Sequence, residues 1–264
     1  MSEKVVVITG ASAGIGASLA RELGRRNYRV VLAARRQSEL DKVAAESGKD
    51  ALTVAADVTK RVEVDRIRDR ALDTFGHVDV WVNNAGQGIT RSVLQLTDQD
   101  IDEVIAVNVK SALYGMQAIV PFFQKRGSGH LINVSSFLAK VPAAPPRAAY
   151  SGAKAMLNTL TANLRMELRQ SHPNIHISTV MPGIVTTEFA KNAIGGTPGW
   201  APPAAGPMAA QTPEQVAKAI AELIEKPAAE LYTNPAHPGM AQKYIADVAA
   251  FEAAGSPVPP LKPS

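Results

Sequence analysis

Short runs of aliphatic and β-branched residues alternate along the chain with longer stretches in which apolar residues recur with helical spacing. Most of the short runs are apolar at successive positions, which is typical of strands that are buried on both faces of a sheet. This alternation predicts an α/β fold, in which a parallel sheet is covered by helices on both sides. The seven predicted strands are Val5–Thr9, Val30–Ala34, Leu52–Ala56, Val78–Asn83, His130–Val134, Ile175–Met181 and Glu230–Tyr232.

The helical stretches lie between these strands, and no other internal repeat is present. The last of them has a clear start, because Thr212 can cap it, Pro213 takes its first position and Gln215 completes a capping box. We therefore expect one doubly wound domain over residues 1–254. The predicted helices are Ile15–Asn27, Glu39–Glu46, Val62–Phe75, Gln99–Phe123, Tyr150–Gln170 and Pro213–Glu225.

Two segments rich in glycine and proline interrupt this order. Residues 191–211 form a loop of a length that is typical of substrate lids, although a passive disordered insertion has the same composition. Phe189, Trp200 and Met208, in or beside this loop, are candidates to contact an apolar substrate or are packing residues. The four prolines of residues 255–264 predict an extended or disordered tail, since proline interrupts helices and interior strands.

The composition excludes several classes of chemistry. The 264 residues include no cysteine, so disulfides, thiolate metal sites and a cysteine nucleophile are excluded, and we expect no metal site. The apolar run Val5–Ile8 is shorter than the roughly 7 to 15 residues of a secretion signal. No uninterrupted apolar run approaches the roughly 20 residues of a membrane span. We expect a cytoplasmic protein that does not bind a membrane.

Positive charge is concentrated near the second predicted strand. The chain has a net charge of +4, and no acidic residue lies between Glu22 and Glu39. Such a cluster is a solvated surface, a binding site for an anionic cofactor or, least in keeping with the other features, a nucleic-acid surface. We favour the cofactor site. The arginines of the cluster are Arg25, Arg26, Arg29, Arg35 and Arg36.

The first strand leads into a glycine-rich turn and then a helix. Gly10, Gly14 and Gly16 have the spacing G-x-x-x-G-x-G. Glycines at such a turn allow backbone N–H groups to approach a pyrophosphate at the positive end of the helix. A plain structural turn is the alternative, but the position between strand and helix favours a dinucleotide site.

The end of the second strand indicates which dinucleotide binds. About 20 residues after the glycines, an NAD site usually presents an acidic residue to the ribose 2′-hydroxyl. This chain has Arg35 and Arg36 there, and arginine binds a 2′-phosphate with charge-assisted hydrogen bonds. We therefore predict NADP(H), with Arg35 as the main contact and Ser12 and Arg36 assisting.

Further motifs follow the glycine-rich turn in a fixed order. With the turn itself, they are Thr9-Gly10-x-x-x-Gly14-Ile15-Gly16, Asp57-Val58, Asn83-Asn84-Ala85-Gly86, Asn108, Ser135-Ser136, Tyr150-x-x-x-Lys154 and Pro182-Gly183-x-Val185-x-Thr187. With these motifs the chain resembles the short-chain dehydrogenases/reductases over Val5 to Thr187. The resemblance implies a seven-stranded Rossmann sheet, a homodimer or homotetramer, and reversible reduction of a small-molecule carbonyl compound to an alcohol.

Tyr150 and Lys154 are four positions apart on a predicted helix, so their side chains can meet. A nearby ammonium favours an ionised phenol, and on this reasoning Lys154 makes Tyr150 a general acid/base near neutral pH. Tyr150 would protonate the carbonyl oxygen while nicotinamide delivers hydride to the carbon. The same spacing occurs by chance on many exposed helices, but the ordered set of motifs argues against chance.

Two more side chains complete the predicted catalytic group. Ser136 would hydrogen-bond the substrate oxygen; Ser135 stays an alternative, because the interval from Ser136 to Tyr150 is one residue longer than the common family spacing. By resemblance, Asn108 helps to organise a proton path to Lys154. A bland role remains for each of these residues: Asn108 could bond backbone within a helix, and the serines could end a strand.

By resemblance, the backbone of Val185 and the hydroxyl of Thr187 hold the nicotinamide carboxamide, and Asp57 either bonds the adenine or caps a turn. A non-catalytic NADP-binding sensor or scaffold is the alternative function. The predicted cofactor-binding residues are Gly10, Ser12, Gly14, Ile15, Gly16, Arg35, Arg36, Asp57, Val58, Asn84, Ala85, Gly86, Tyr150, Lys154, Pro182, Gly183, Val185 and Thr187.

Overall fold

A computed structural model describes residues 4–197, 206 and 208–255. Its strands form one parallel sheet of seven strands in the order β3-β2-β1-β4-β5-β6-β7, which confirms the predicted α/β fold. Each predicted strand is present, with bounds that differ by at most two residues. The strands are β1 (Val5–Thr9), β2 (Arg29–Ala34), β3 (Leu52–Ala55), β4 (Val80–Asn83), β5 (Gly129–Val134), β6 (Ile175–Met181) and β7 (Glu230–Tyr232).

The helices cover both faces of this sheet. The six predicted stretches are helical, and two helices near the carboxyl end were not predicted. The helices are α1 (Gly14–Arg25), α2 (Gln37–Ala45), α3 (Arg61–Phe75), α4 (Asp98–Ile105), α5 (Ser111–Arg126), α6 (Ala148–Leu168), α7 (Pro213–Glu225), α8 (His237–Ala246) and α9 (Val248–Ala253).

Strand β1 shows how one apolar run serves two cores. Val6 and Ile8 pack into the core with α1, α2 and α7, while Val5 and Val7 pack into the core with α3, α5 and α6. All five residues of the strand are buried. The absence of polar alternation in the sequence therefore follows from helices on both faces.

The helix predicted over Gln99–Phe123 is interrupted. A π-helical turn over Ala106–Lys110 separates α4 from α5 and places Asn108 in the interior, 1% exposed. Single π turns of this kind are frequent at functional sites. By length and composition, the whole stretch Asp98–Arg126 could cross a membrane, but 56% of its most apolar window is buried, and α5 packs against the sheet as a core helix does.

The chain crosses from one side of the sheet to the other between β1 and β4, and in open α/β sheets ligands bind at such a switch point. Side chains tie the two strand ends together there. The Thr9 hydroxyl accepts hydrogen bonds from the backbone N–H groups of Asn84 (3.0 Å) and Ala85 (3.2 Å). The Asn84 amide donates to the Thr9 carbonyl at 2.9 Å.

The start of the predicted lid is attached to the loop after β4. Ile194 pairs with Ile89 in a parallel bridge, and its N–H donates to the carbonyl of Gly88 at 2.9 Å. Met208 is buried in a cluster with Phe137, so it is a packing residue. Residues 198–205 and 207, with Trp200, and residues 256–264 of the predicted tail lie outside the described residues. The lid remains a prediction.

Candidate active site

A cleft of about 530 Å³ opens at the carboxyl ends of the strands. Of the predicted site residues, all but Gly16 and Asn108 line it, and Ser135 lines it with Ser136. The sequence motifs therefore converge on one site, although they are spread from Gly10 to Thr187. Lining residues that were not predicted to contact the cofactor are Ala13, Ala34, Ala56, Thr59, Gln87, Val107, Val134, Glu188, Phe189 and Asn192.

The glycine-rich turn requires glycine at two positive φ angles, +66° at Gly10 and +56° at Gly14. A Cβ at Gly10 would lie 2.8 Å from the Ala85 Cα, so the loop after β4 passes directly over the turn. Gly16 lies beneath the turn rather than on the cleft surface: a Cβ there would lie 2.4 Å from the Gly10 carbonyl oxygen. Gly16 therefore has a packing role in this turn, and its contact with the cofactor remains a prediction.

Gly16→Ala should lower the free energy of unfolding by about 1–3 kcal/mol, because the added methyl overlaps the turn. Gly152→Ala is the matched control, since a Cβ at this helical glycine meets nothing within 4 Å. Replacing an exposed helical glycine should raise stability by about 0.5–1 kcal/mol. Urea unfolding of both variants measures the two values, and equal effects would contradict the packing role of Gly16.

The positive end of helix α1 lines the cleft and has no side-chain cap. Its N-cap residue Ala13 makes no side-chain cap, and its first turn has no acidic residue. By contrast, Thr212 and Gln215 form the predicted capping box at the start of α7. Free N–H groups and the helix dipole suit a phosphate group. The turn and helix therefore fit the pyrophosphate of a dinucleotide.

The arginine cluster divides into two groups. Arg25 and Arg26 form ion pairs with Glu22, and Arg29 forms one with Asp50. These three arginines do not line the cleft.

Arg35 and Arg36 do line the cleft, and they follow β2 directly. Arg36 Nη2 donates to Ser12 Oγ at 3.3 Å, so the two residues predicted to assist are neighbours. Helix α2 begins one residue later without a side-chain cap. This end of the cleft is thus a cationic site next to an open helix N-terminus.

Asp57 lines the same end of the cleft. Its Oδ1 accepts hydrogen bonds from the backbone N–H (3.0 Å) and the hydroxyl (2.7 Å) of Thr59. Burial raises the pKa of Asp57, but these hydrogen bonds and the charges of Lys60 and Arg35 outweigh it, so the pKa is lowered overall. Asp57 is therefore an ionised residue that caps its own turn.

Tyr150, Lys154 and Ser136 meet at the other end of the cleft. Tyr150 is 8% exposed and Lys154 is 3% exposed, and the Lys154 Nζ lies 5.8 Å from the centre of the Tyr150 ring. Ser136 Oγ accepts a hydrogen bond from the Leu138 N–H at 3.2 Å, and its hydroxyl acts to lower the pKa of Tyr150. Ser135 Oγ instead donates to the backbone carbonyl of Lys154 at 3.3 Å. Of the two serines, Ser136 is the one that acts on the pKa of the phenol.

Burial dominates the electrostatics of this pair. It raises the pKa of Tyr150 to about 12, although the Ser136 hydrogen bond and the charge of Arg147 act in the opposite direction. Burial also lowers the pKa of Lys154 to about 7, and its Nζ donates to the Val134 carbonyl at 2.9 Å. The expectation that Lys154 lowers the pKa of Tyr150 is therefore wrong for this structure.

Residues 4–195 match the family model for short chain dehydrogenase. The chain belongs to this family of oxidoreductases.

Curated relatives support this membership. An uncharacterized oxidoreductase of Staphylococcus saprophyticus is 39% identical over 72% of this chain and 77% of its own length. A second, of Staphylococcus epidermidis, is 34% identical over 72% of this chain and 82% of its own length. The family, rather than a substrate, is what these relatives establish.

Solved structures of similar proteins carry nicotinamide cofactors. An alcohol dehydrogenase of Thermococcus sibiricus in complex with 5-hydroxy-NADP is 27% identical, with a TM-score of 0.77, over 89% of this chain and 98% of that one. A 3-ketoacyl-(acyl-carrier-protein) reductase of Brucella melitensis in complex with NADH is 26% identical, with a TM-score of 0.78, over the same shares. Members of this fold therefore bind either dinucleotide.

In this short chain dehydrogenase, Asn108 contacts backbone rather than the cleft. Its amide donates to the carbonyls of Gln87 (2.9 Å) and Val104 (3.0 Å), and its Oδ1 accepts from the Gln87 N–H at 3.2 Å. A Cβ at Gly86 would lie 3.1 Å from the Asn108 Oδ1 and 3.6 Å from the Lys154 Nζ. Asn108 thus fixes the loop that separates it from Lys154.

The segment after β6 completes the wall beside Tyr150. Thr187 Oγ1 accepts from the Phe189 N–H at 3.2 Å, and the Phe189 ring meets the Tyr150 ring edge to face at 5.5 Å. Val185 is held by a bridge to Gln211.

Among residues 4–197, 206 and 208–255, no group of three or more acidic or histidine side chains could hold a metal ion.

The buried lysine predicts a specific pH dependence of stability. With a folded-state pKa of about 7 and an unfolded value near 10.5, Lys154 binds fewer protons in the folded protein between these pH values, so folding becomes more favourable as pH rises. The variant Lys154→Met has no ionisable group at this position and therefore lacks this gain in stability with rising pH. From pH 7 to pH 9, the wild type should gain on the order of 2 kcal/mol of unfolding free energy relative to the variant.

Urea unfolding of both proteins at the two pH values measures this difference. Lys42→Met is the control, because Lys42 is an exposed lysine whose charge pairs with Glu39 on the surface. The same change with pH in the wild type and in Lys154→Met would show that Lys154 is protonated inside the fold.

Proposed function

We propose that this chain is an NADP-dependent oxidoreductase that reversibly transfers a hydride between nicotinamide and a ketone, aldehyde or secondary alcohol. The observation that carries the proposal is the arrangement of one cleft. Tyr150, Ser136 and Lys154 lie at one end, Arg35 and Arg36 lie at the other, and the glycine-rich turn lies along it. When bound, the nicotinamide supplies or accepts the hydride, which no protein side chain provides.

The preference for NADP rests on charge at the end of β2. Arg35, Arg36 and Ser12 offer donors to a 2′-phosphate, and the end of β2, where an NAD site usually presents an acidic residue to the ribose, carries these two arginines instead. Arg25, Arg26 and Arg29 have acidic partners, whereas Arg35 and Arg36 point their charge to the cleft. Charge-assisted hydrogen bonds to a phosphate are the strong ones in proteins.

Other residues of the cleft lining would hold the rest of the dinucleotide. Gly10, Gly14 and Ile15 would present backbone N–H groups to the pyrophosphate. Asp57 and Val58 would border the adenine. The loop of Asn84, Ala85 and Gly86 would pass beside the cofactor, and the segment of Pro182, Gly183, Val185 and Thr187 would hold the carboxamide. All of these residues line the cleft.

The side chains perform the proton chemistry. With its pKa raised to about 12, Tyr150 is neutral at pH 7 and is able to donate its proton to a substrate oxygen during reduction. Ser136 lines the cleft with Tyr150 and would hydrogen-bond the same substrate oxygen, stabilising the charge that develops there. Lys154 titrates near neutrality and is suited to return a proton to Tyr150, with Asn108 holding the intervening loop.

Turnover tests the proposal. Purified protein is mixed with NADPH or NADH and a panel of ketones and aldehydes, and loss of the reduced-nicotinamide absorbance is followed. We expect consumption of NADPH with at least one compound, faster than consumption of NADH. Tight NADPH binding without turnover across the panel would favour the sensor or scaffold role, and absence of binding to either dinucleotide would overturn both.

A further inference from the structure

Arg147 is a buried cation next to Tyr150 that no sequence motif singled out. It ends the short 3₁₀ turn Pro145–Arg147, three residues before Tyr150, and is 8% exposed. Arginine is almost never buried to this degree without a partner. Nevertheless, within the part of the chain that the structure describes, no carboxylate forms an ion pair with Arg147. Its Nη1 donates to the backbone carbonyl of Ile89 at 3.1 Å.

The surrounding chain is shaped to hold the guanidinium. A Cβ at Gly88 would lie 2.6 Å from Nη1 and 2.9 Å from Phe189 Cε1, so the guanidinium and the Phe189 ring both pack against this glycine. Ser151 Oγ donates to the Arg147 carbonyl at 3.0 Å, and the Arg91 N–H donates to the Pro146 carbonyl at 3.0 Å. The guanidinium is therefore fixed between the loop after β4 and the start of α6.

Few charged groups face Tyr150. On its own helix it has Lys154, and Arg147 directly precedes that helix. The other elements packed against it contribute Ile89, Val104, Val109 and Phe189, which are apolar. The carboxylates that line the cleft are Asp57 and Glu188. Lys154 Nζ is engaged by the Val134 carbonyl, and a lysine loses its charge at basic pH. Burial lowers the pKa of Arg147 and the charge of Tyr150 acts in the opposite direction, but a guanidinium still keeps its charge through the neutral pH range.

We propose that Arg147 is a positioning residue for the reaction, whose buried guanidinium stabilises the phenolate of Tyr150. The proposal rests on the function proposed above. In reduction, the Tyr150 O–H bond breaks, a bond forms between that proton and the substrate oxygen, and the hydride goes to the substrate carbon. Arg147, whose charge acts to lower the pKa of Tyr150, then stabilises the negative charge left on Tyr150 Oη. This negative charge offsets part of the free-energy cost of burying the guanidinium without a carboxylate partner.

A titration that needs no turnover tests the proposal. Tyr150 is replaced by a fluorinated tyrosine, whose more acidic phenol ionises in a pH range that the fold survives, and its ionisation is followed by fluorine NMR. Arg147→Gln keeps a donor for the Ile89 carbonyl but removes the charge. We expect the pKa of the fluorophenol to rise by about one unit in Arg147→Gln. In Arg147→Lys it should stay near the wild-type value.

Further variants separate charge from structure. Gly88→Ala places a methyl 2.6 Å from Nη1 and 2.9 Å from Phe189 Cε1, so Phe189→Leu is measured beside it as the control for the ring. Gly88→Ala displaces the guanidinium without removing it and should raise the fluorophenol pKa more than Phe189→Leu does, even if Arg147→Gln does not fold. Arg165→Gln is the control, because Arg165 also bonds backbone carbonyls, those of Ile177 and Ala229, and does not line the cleft. It should leave the pKa unchanged.

Equal pKa values of the fluorophenol in the wild type, Arg147→Gln and Gly88→Ala would overturn the proposal. Arg147 would then only stabilise the loop after β4 through its bond to the Ile89 carbonyl. Failure of the proposed function looks different. In that case no carbonyl compound is reduced, whereas the fluorophenol still responds to Arg147→Gln. If both hold, the pH profile of kcat in Arg147→Gln shifts in the same direction as the fluorophenol pKa.

Discussion

Tyr150→Phe should lower kcat by about 10² to 10⁴-fold, the range that a positioned general acid contributes. The change removes one oxygen atom and keeps the ring that packs against Phe189. The loss should therefore arise from proton transfer and not from a rearranged site. The affinity for NADPH, measured by quenching of protein fluorescence, should change little, because the arginines and the glycine-rich turn lie elsewhere along the cleft.

Tyr244→Phe is the control for this substitution, since Tyr244 meets Phe251 between α8 and α9 and does not line the cleft. Its kcat should equal that of the wild type. Full turnover by Tyr150→Phe on a confirmed substrate would show that another group donates the proton. Ser136 would then be the first group to test, because its hydroxyl lines the cleft beside Tyr150 and acts on the pKa of the phenol.

The parts of the fold that the sequence predicts well are those in which local signals and burial agree. Strand β1 is apolar throughout because both of its faces are covered, and the box of Thr212 and Gln215 fixes the start of α7 to the residue. Helix α8 lacks such signals. It begins near Pro238 and Gly239 and buries only His237 and Ala241, so its periodicity is weak.

The π turn at Ala106–Lys110 was beyond prediction for a different reason. The segments on both sides of it, α4 and α5, are ordinary helices, and the local sequence does not determine where the hydrogen-bond register widens. The contacts of Asn108 with the carbonyls of Gln87 and Val104 accompany this change. The sequence could show that Asn108 matters, but not that it contacts backbone outside the cleft.

The sequence shows the spacing of the two ionisable residues of the site, but not the burial that shifts their pKa values. A spacing of four residues brings Tyr150 and Lys154 together. Burial then raises the pKa of Tyr150 and lowers that of Lys154, so that the neutral form of each is favoured. The one signal for Arg147 was a lone charge within the otherwise apolar and proline-rich segment 141–150. A lone arginine in such a segment is either exposed to solvent or buried in a functional role, and only the fold distinguishes the two.

Arg35→Asp should lower the preference for NADPH over NADH by about 10 to 100-fold, measured as the ratio of the two kcat/KM values. Hydrogen bonds to a charged group contribute roughly 1.5–3 kcal/mol, and about 1.4 kcal/mol corresponds to a factor of ten. The new carboxylate also repels a 2′-phosphate and is able to accept a hydrogen bond from a ribose 2′-hydroxyl. Most of the change should appear as a higher KM for NADPH.

Arg70→Asp makes the same change of charge on the exposed side of α3, outside the cleft lining, and should leave the preference intact. This control separates a local contact from the general attraction of a basic protein for an anion. Arg36→Gln should have a smaller effect than Arg35→Asp, because Arg36 already donates to Ser12 and the variant introduces no repulsion. An unchanged preference in Arg35→Asp would place the 2′-phosphate elsewhere, and the cationic end of the cleft would then have no assigned ligand.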